Sequence, residues 1–413
     1  MSREVPAPPA PDLGAVVRAV LGVRVEVRSD PTQRGFDALA GLALRDNPRR
    51  AHLVVSRVLA KHIPAAAAAV LQAAGDLGGL VGLEAPFVLG FCETATALGW
   101  QVADAVGAPL YAHSTRRPGP AVLGFREEHS HAAEHTLHVA GDSFADPRPL
   151  VLVDDELTSG TTALATIAAL QARWPREDYV VAALLDLRPP TARAAFAARA
   201  EALGVRVRVV ALLDAVLTVP ADVLTRAAGA RAELAGRAAA PVELPARARV
   251  VEHPGLPQPA TARRGVDAAG RARLGADVAA LAARLPLAGP ATLVLGTEEL
   301  LQPAVLLAAA LGAGAVVQSS TRSPVHAVEL AGYAVRRVIT APAPDDPARV
   351  TRVHNLVDPA ATAPIQAPYD DVVLLVDTPA GAARPLAEAL RGWATGGVHV
   401  LAARQGTTTV MPG

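Results

Sequence analysis

One stretch of the chain concentrates side chains that could do chemistry. Leu150–Val153 is a short apolar run, the form of a strand that a parallel sheet buries on both faces. Asp154, Asp155 and Glu156 follow where that strand should end. A hydroxyl-rich loop then opens an Ala/Leu/Ile-rich helix, and its residues are Thr158, Ser159, Gly160, Thr161 and Thr162. Because a helix N-terminus offers free N–H groups and the positive end of a dipole, this loop could hold a phosphate. With carboxylates for ribose hydroxyls and a metal ion, the stretch suits a phosphorylated sugar.

Three competing motifs fit this stretch less well. A Walker loop would need the glycine spacing and the lysine of GxxxxGK(S/T), which this stretch lacks. A phosphoaspartate enzyme would want an aspartate two residues after its nucleophile, and Glu156 stands there after Asp154. A strand end with Asp155 or Thr158 as a helix cap would explain one acid, but not three acids before a Thr/Ser/Gly loop.

Two earlier loops carry further polar residues. Lys61 and His62 precede Pro64, which stops regular structure, so they lie in a loop that either contacts an anion or is an ordinary surface loop. The second loop follows an apolar strand and precedes a helix, and its residues are Gly90, Phe91, Cys92, Glu93 and Thr94. Glu93 could bind a metal ion or a substrate, or cap the helix. Cys92 is interpreted as a small buried spacer rather than a reactive thiol.

A basic turn and a histidine-rich segment complete the candidate groups of the first half. Arg116 follows the strand predicted at 109–112. The segment 125–138 then contains four histidines within ten residues, with the His-x-His and His-x-x-x-His spacings that transition-metal sites use. From the residues alone, this segment is a metal site or an exposed polar helix.

Two motifs resemble known families. Val151–Thr162 is similar to the phosphoribosyl pyrophosphate (PRPP) motif of type I phosphoribosyltransferases of the PRTase_2 kind: apolar residues, an acidic pair, then a Thr/Ser/Gly loop. Ser320–Pro324 contains the Thr-Arg-Ser-Pro string that names the TRSP domain. That domain is known as a C-terminal companion of phosphoribosyltransferase domains in bacterial tellurium-resistance-associated gene clusters.

The resemblance implies an activity and roles for the candidate residues. The expected protein is a Mg²⁺-dependent transferase that uses PRPP, releases pyrophosphate and modifies a small-molecule acceptor, in a pathway to a nucleoside-like metabolite. Asp154 and Asp155 would hold the ribose hydroxyls and order the metal, while residues 158–162 would bind the 5′-phosphate. The loop 90–94, with Arg116 and Lys61, would face pyrophosphate. A mobile loop that closes over PRPP would include Glu127, Glu128, His129 and His131. The alternatives are a non-catalytic PRPP sensor and a metal-binding stress protein.

Composition limits the class of protein. The chain has 413 residues, half of them apolar but only 3% aromatic, so Ala, Val and Leu must build the core. Its 39 basic and 39 acidic residues cancel, so no overall field favours nucleic acid or an anionic membrane. A single cysteine excludes an internal disulfide, and the N-terminus lacks the apolar run of a signal peptide. We expect a cytoplasmic protein. The sequence leaves open whether it forms a homodimer.

Strands and helices alternate along both halves, which predicts doubly wound parallel sheets. We expect a phosphoribosyltransferase domain over 1–240, a linker at 241–263, where prolines accumulate, and a second domain over 264–413. The same interval of 24 positions separates Gly90 from Ser114 and Gly296 from Ser320. The second domain is therefore predicted to be a related but diverged copy of the first.

The second half has a candidate site of its own. Arg322 occupies the position that corresponds to Arg116, at a strand end where open parallel sheets bind ligands. A salt bridge from Arg322 to Glu298 or Glu299 is the alternative. The predicted site would bind an anionic small molecule independently of PRPP, through Glu299, Ser320, Thr321, Arg322 and Ser323.

Overall fold

The computed structural model describes residues 10–45, 47, 50–126, 134–237, 244–361 and 368–403. The strands of the first half are β1 (Arg24–Ser29), β2 (Ala40–Leu44), β3 (His52–Ser56), β4 (Ala65–Ala66), β5 (Phe87–Gly90), β6 (Leu110–His113), β7 (Leu123–Arg126), β8 (Glu134–Leu137), β9 (Leu150–Leu157), β10 (Asp178–Asp186) and β11 (Arg206–Thr218). Its helices are α1 (Ala15–Leu21), α2 (Phe36–Leu39), α3 (Ala67–Val81), α4 (Thr96–Ala105), α5 (Thr161–Arg173), α6 (Pro190–Ala202) and α7 (Val223–Leu234).

The second half continues the alternation of strands and helices. Its strands are β12 (Arg249–Leu256), β13 (Val266–Asp267), β14 (Thr292–Gly296), β15 (Ala315–Ser319), β16 (Val338–Ala343), β17 (Asp346–His354), β18 (Tyr369–Val376) and β19 (Ala394–Ala403). Its helices are α8 (Ala268–Ala282), α9 (Leu301–Leu311) and α10 (Arg384–Leu390). No helix in these described parts of the chain is long and apolar enough to cross a membrane.

Two large sheets form, and their strand orders correspond. The first sheet has the order β1-β11-β10-β9-β5-β6-β13, and the second has the order β12-β19-β18-β14-β15-β4. The central pairs of both sheets are parallel, including β9 with β10 and β14 with β18. Apolar side chains fill these strands because helices cover both faces. The prediction of two doubly wound parallel sheets, the second related to the first, is confirmed.

Each half lends a two-residue strand to the sheet of the other half. β4, from the first half, pairs with β15 through Ala66 and Val316. β13, from the second half, pairs with β6 through Val266 and Tyr111. A single apolar cluster also combines side chains of both halves, among them Leu77 of α3 and Val305 of α9. The two sheets are therefore built into one structure by a reciprocal exchange.

The proline-rich segment 241–263, predicted as a linker, contributes to the second sheet. β12 lies within it and runs parallel to β19, with Arg249 opposite Gly397. β12 is at the edge of the sheet, where prolines are tolerated because one side of the strand needs no hydrogen-bonding partners. The strand was not predicted because the prolines of this segment indicated a linker.

The connections of the first sheet create a crevice between β5 and β9. These strands are neighbours, but the chain continues from β5 outward to β6 and from β9 outward to β10. Open parallel sheets bind ligands at such a reversal, outside the carboxyl ends of the strands. The two loops that carry the candidate residues follow these two strands.

Candidate active site

The loop after β9 has the geometry of an anion-binding helix start. Gly160 precedes α5 with a φ of 80°, a conformation that favours glycine, and a Cβ there would lie 2.5 Å from Cδ2 of Phe196. The N-cap residue Gly160 has no side chain to accept from the first turn, and the Thr161 N–H there donates to Oγ of Ser159 at 3.3 Å. The Ser159 and Thr161 hydroxyls lie 3.0 Å apart. Capping by Asp155 or Thr158 is thus not observed, and the first turn of α5 can donate to a phosphate.

The acids of β9 are crowded at the edge of the sheet. The Asp155 N–H donates to Oδ1 of Asp154 at 2.9 Å. Burial, followed by the neighbouring Asp155 charge, raises the pKa of Asp154 well above its ordinary value. Burial and Asp155 also raise the pKa of Glu156 to about 8. Carboxylates that resist ionising together favour a cation or hydroxyl donors beside them.

The loop after β5 is fixed against its neighbours. The N–H of Phe91 donates to the Val153 carbonyl at 3.0 Å, and the N–H of Cys92 donates to Oγ of Ser114 at 3.0 Å. Lys61 Nζ donates to Oγ1 of Thr94 at 2.6 Å, which brings the earlier loop to the same place. Burial raises the pKa of the Cys92 thiol to about 12, so this thiol stays protonated.

Glu93 is a buried acid in this loop. It is 8% exposed, and its Oε1 atom accepts no well-oriented hydrogen bond from the described residues, although Nε of Arg322 lies 2.9 Å away. Burial raises the pKa of this carboxyl and Glu298 raises it too, while Arg322 opposes the shift. This oxygen is fully buried, and the Arg322 guanidinium beside it balances its charge.

Arg116 lies between the loop after β5 and the hairpin formed by β7 and β8. Its Nη2 is 3.0 Å from Nε2 of His135, and its Nη1 is 3.9 Å from Oε1 of Glu93. His135 Nδ1 in turn lies 3.0 Å from Oγ of Ser114. The predicted mobile-loop residues fall outside the described residues; they are Glu127, Glu128, His129 and His131. In the described ranges, no group of three or more His, Cys, Asp or Glu side chains could hold a metal ion.

These loops surround one cavity of about 500 Å³. Lys61, residues 91–94, Arg116 and the whole of 154–163 line it. Gly90 ends β5 just behind this wall, where its carbonyl accepts the N–H of Ser114. The structure therefore brings the described candidate residues of the first half to one place.

The predicted second site requires a correction, because most of it belongs to the same cavity. Thr321, Arg322 and Ser323 line the cavity of the first half, opposite the acids of β9. Ser320 is buried, and its N–H donates to the Gly296 carbonyl at 3.0 Å, as Ser114 does to Gly90. Glu299 is engaged elsewhere, since its Oε1 accepts from Oγ1 of Thr115 at 2.6 Å and it also pairs with Arg263.

Arginines fill the corresponding crevice of the second sheet. Asp377, which follows β18, has its Oδ1 3.3 Å from Nη2 of Arg117 and its Oδ2 2.7 Å from Nη2 of Arg263. Arg117 Nη1 also lies 3.2 Å from Oδ2 of Asp345. The one acid that this half retains from the motif is therefore neutralised internally, and the independent anion site predicted for the second half is replaced by an ion-pair network.

Several lining residues were not predicted as site residues. Arg45 and Arg50 come from the end of β2 and the segment before β3, and Leu59 comes from the loop that follows β3. His62 of the same loop, which the sequence offered with Lys61 as an anion contact or part of a surface loop, also lines the cavity. The β2–β3 hairpin belongs to neither large sheet and carries no motif. Only the arginines before a strand could have drawn attention to it.

Comparison with known proteins gives the class of each half. Residues 39–216 match the family model described as phosphoribosyl transferase, so the first half is a phosphoribosyl transferase domain. Residues 260–390 match the model described as TRSP domain C terminus to PRTase_2. The chain thus has a phosphoribosyl transferase domain followed by a TRSP domain. No curated protein matches it.

Solved structures similar to the chain include three adenine phosphoribosyltransferases. The Trypanosoma brucei structure is 23% identical, with a TM-score of 0.29, over 35% of this chain and 64% of that one. The Leishmania tarentolae structure is 26% identical, with a TM-score of 0.27, and the match covers 38% of this chain and 73% of that one. The Giardia lamblia structure is 17% identical, with a TM-score of 0.31, and the match covers 43% of this chain and 95% of that one. The chain thus spans less than two thirds of the Trypanosoma brucei relative.

Proposed function

We propose that the chain is a Mg²⁺-dependent phosphoribosyltransferase that uses PRPP, releases pyrophosphate and transfers the ribosyl phosphate to a small-molecule acceptor. One observation carries the proposal: the acids of β9, the start of α5 and the loop after β5 all line a single cavity at the switch point of a parallel sheet. Its three regions correspond to the ribose, the 5′-phosphate and the pyrophosphate of PRPP.

The ribosyl phosphate would lie along β9 and α5. The first-turn N–H groups of α5 and the hydroxyls of Thr158, Ser159 and Thr161 would donate to the 5′-phosphate. Asp154 and Asp155 would accept hydrogen bonds from the ribose hydroxyls. Asp154 already accepts the Asp155 N–H, and this assignment adds hydroxyl donors beside the two crowded carboxylates.

The chemistry of the donor set fits Mg²⁺ bound together with the substrate. Mg²⁺ is usually held by one or two carboxylates plus substrate phosphates and water. Asp154 and Asp155 offer carboxylates on the cavity wall, without a complete protein cage among the described residues. When bound, the ion would neutralise negative charge on the pyrophosphate group.

The leaving group would face cationic side chains. As the bond between the anomeric carbon and the pyrophosphate oxygen breaks, negative charge builds up on pyrophosphate. Arg116 and Lys61 are already oriented by His135 and Thr94, so they can stabilise this charge without reorganising. No covalent enzyme nucleophile is required, because the acceptor itself bonds to the anomeric carbon as the bond from that carbon to pyrophosphate breaks.

The acceptor would enter beside the β2–β3 hairpin. Arg45, Arg50 and His62 provide polar groups there, and Leu53 and Leu59 provide an apolar wall. Such a mixture suits a small polar molecule. A nucleoside-like product, as the resemblance to proteins of tellurium-resistance clusters implies, would be consistent with this wall.

Pyrophosphate release tests the proposal. The full chain with Mg²⁺ and PRPP is incubated with a panel of nucleobases and related heterocycles, and pyrophosphate is measured by a coupled assay. We expect acceptor-dependent release that is lost in the Asp154→Asn, Asp155→Asn double variant. PRPP binding without release for any acceptor would instead indicate a sensor.

A further inference from the structure

The two halves exchange contacts through their Ser-Thr-Arg segments. Each segment follows the corresponding strand of its half, β6 or β15, and is bridged to a hairpin through Thr115 and Thr136 or through Thr321 and Arg352. Thr115 of the first segment donates to Glu299, in the loop after β14. Arg322 of the second segment reaches Glu93, in the loop after β5. Each segment therefore contacts the candidate anion loop of the opposite half.

Arg322 is held firmly at one edge of its guanidinium group. Its Nε and Nη2 donate to Oε2 of Glu298 at 3.2 and 2.9 Å, and its Nε also lies 2.9 Å from Oε1 of Glu93. Its Nη1 donates no hydrogen bond to any residue that the structure describes. The side chain is 29% exposed and lines the cavity. A fixed guanidinium that lines a cavity and keeps Nη1 without a described acceptor is suited to bind an oxyanion.

In the second half, an arginine of the first half occupies the corresponding crevice. Arg117 crosses in the opposite direction and pairs with Asp377, the acid that follows β18. Arg322 makes no ion pair with Asp154 or Asp155 among the described contacts, since its carboxylate partners are Glu93, Glu298 and Asp345. Arg117 therefore neutralises the acid of the second crevice, whereas Arg322 leaves the two aspartates of the first crevice unpaired with it.

We propose that Arg322, supplied by the TRSP domain, is a pyrophosphate-binding residue of the phosphoribosyl transferase site, with Glu93 and Glu298 as its positioning residues. This inference rests on the proposed function and assigns the second domain a part in it. It also accounts for an acid in the anion loop. The carboxylate of Glu93 would repel pyrophosphate by itself, but it turns Arg322 toward the cavity and is balanced by that cation.

The chain provides a matched control for this role. Arg349 shares two carboxylate partners with Arg322, because its Nη1 donates to Glu298 at 2.6 Å and it also pairs with Asp345. Arg349 is similarly exposed, at 20%, but it is not among the residues that line the cavity. Replacing either arginine removes a positive charge from the pairing with Glu298 and Asp345, but only Arg322 lies where it could contact the substrate.

Calorimetric titration of the full chain separates the roles. Wild type, Arg322→Met, Arg322→Lys and Arg349→Met are titrated with Mg²⁺-pyrophosphate, PRPP and ribose 5-phosphate, with urea unfolding as a check of folding. We expect Arg322→Met to lower the affinity for pyrophosphate and for PRPP by roughly 10- to 100-fold, the range for a lost hydrogen bond between charged groups. Arg322→Lys should fall between Arg322→Met and wild type. Ribose 5-phosphate should bind all four proteins equally, because residues 154–162 hold it.

The outcomes that overturn the inference are distinct. Unchanged pyrophosphate affinity in a folded Arg322→Met protein, or an equal loss in Arg349→Met, would show that Arg322 only supports the domain interface. A parallel loss of ribose 5-phosphate would show the same. If wild type binds neither PRPP nor pyrophosphate, the proposed function fails, and this inference fails with it.

Discussion

Replacing Gly160 with alanine is the sharpest structural perturbation of the phosphate loop. Gly160 has a φ of 80°, and a Cβ would lie 2.5 Å and 2.7 Å from Cδ2 and Cε2 of Phe196, which is itself buried in the core. A left-handed conformation costs a non-glycine residue about 1–2 kcal/mol. Forcing an extra carbon into a packed core costs a further ~1–3 kcal/mol. Gly160→Ala should therefore lower the free energy of unfolding by about 2–5 kcal/mol.

A second glycine isolates the two contributions. Gly204 follows α6 with a φ of 69°, and a Cβ there meets nothing within 4 Å. Gly204→Ala should cost only the conformational part, about 1–2 kcal/mol. Urea unfolding of both variants measures the difference, and calorimetry measures PRPP affinity, which should fall only in Gly160→Ala because the first turn of α5 must move. If Gly160→Ala costs no more than Gly204→Ala and binds PRPP normally, the described packing of this loop is wrong.

Two other predictions concern protonation. Glu156 has a pKa of about 8 in the folded protein against an ordinary value of 4.5, so the folded state keeps a proton that the unfolded state has lost. Wild-type stability should therefore fall as pH rises between these values, by up to about 1.4 kcal/mol per pH unit, and Glu156→Gln should flatten that fall; parallel profiles from urea unfolding at pH 5 and pH 8 would contradict this. Cys92, the single cysteine, should resist iodoacetamide at pH 8 until denaturant exposes it, because burial raises its pKa to about 12; intact-protein mass spectrometry would reveal a native-state adduct if this is incorrect.

The features that sequence analysis predicted well are those encoded locally. Leu150–Val153 had to be a buried strand, and its continuation into Asp154 and the loop before Thr161 placed the candidate site at a strand end. The repeat of 24 positions also corresponds to a physical equivalence, since the N–H groups of Ser114 and Ser320 donate to the matching glycine carbonyls. Local composition and spacing are sufficient for such predictions.

The features that were missed depend on contacts between distant parts of the chain. β4 and β13 have only two residues each, too few for any periodicity, and they form because the other half presents an open sheet edge. Arg322 was expected to serve a separate site, because its own strand leads to the crevice of its own half. The reciprocal crossing of the two halves turns it toward Glu93 instead. No pattern within one half contains that information.

PRPP binding by the Asp154→Asn, Asp155→Asn double variant tests the central claim most directly. Asparagine keeps the size of each side chain but removes the charges that the ribose hydroxyls and Mg²⁺ require. In calorimetric titration with Mg²⁺, wild type should bind a single PRPP per chain, because Arg117 and Arg263 fill the second crevice. The double variant should show no detectable binding, while its urea-unfolding midpoint stays at or above that of wild type, since the mutual repulsion of the acids is removed. Wild-type PRPP affinity in the folded double variant would contradict the account.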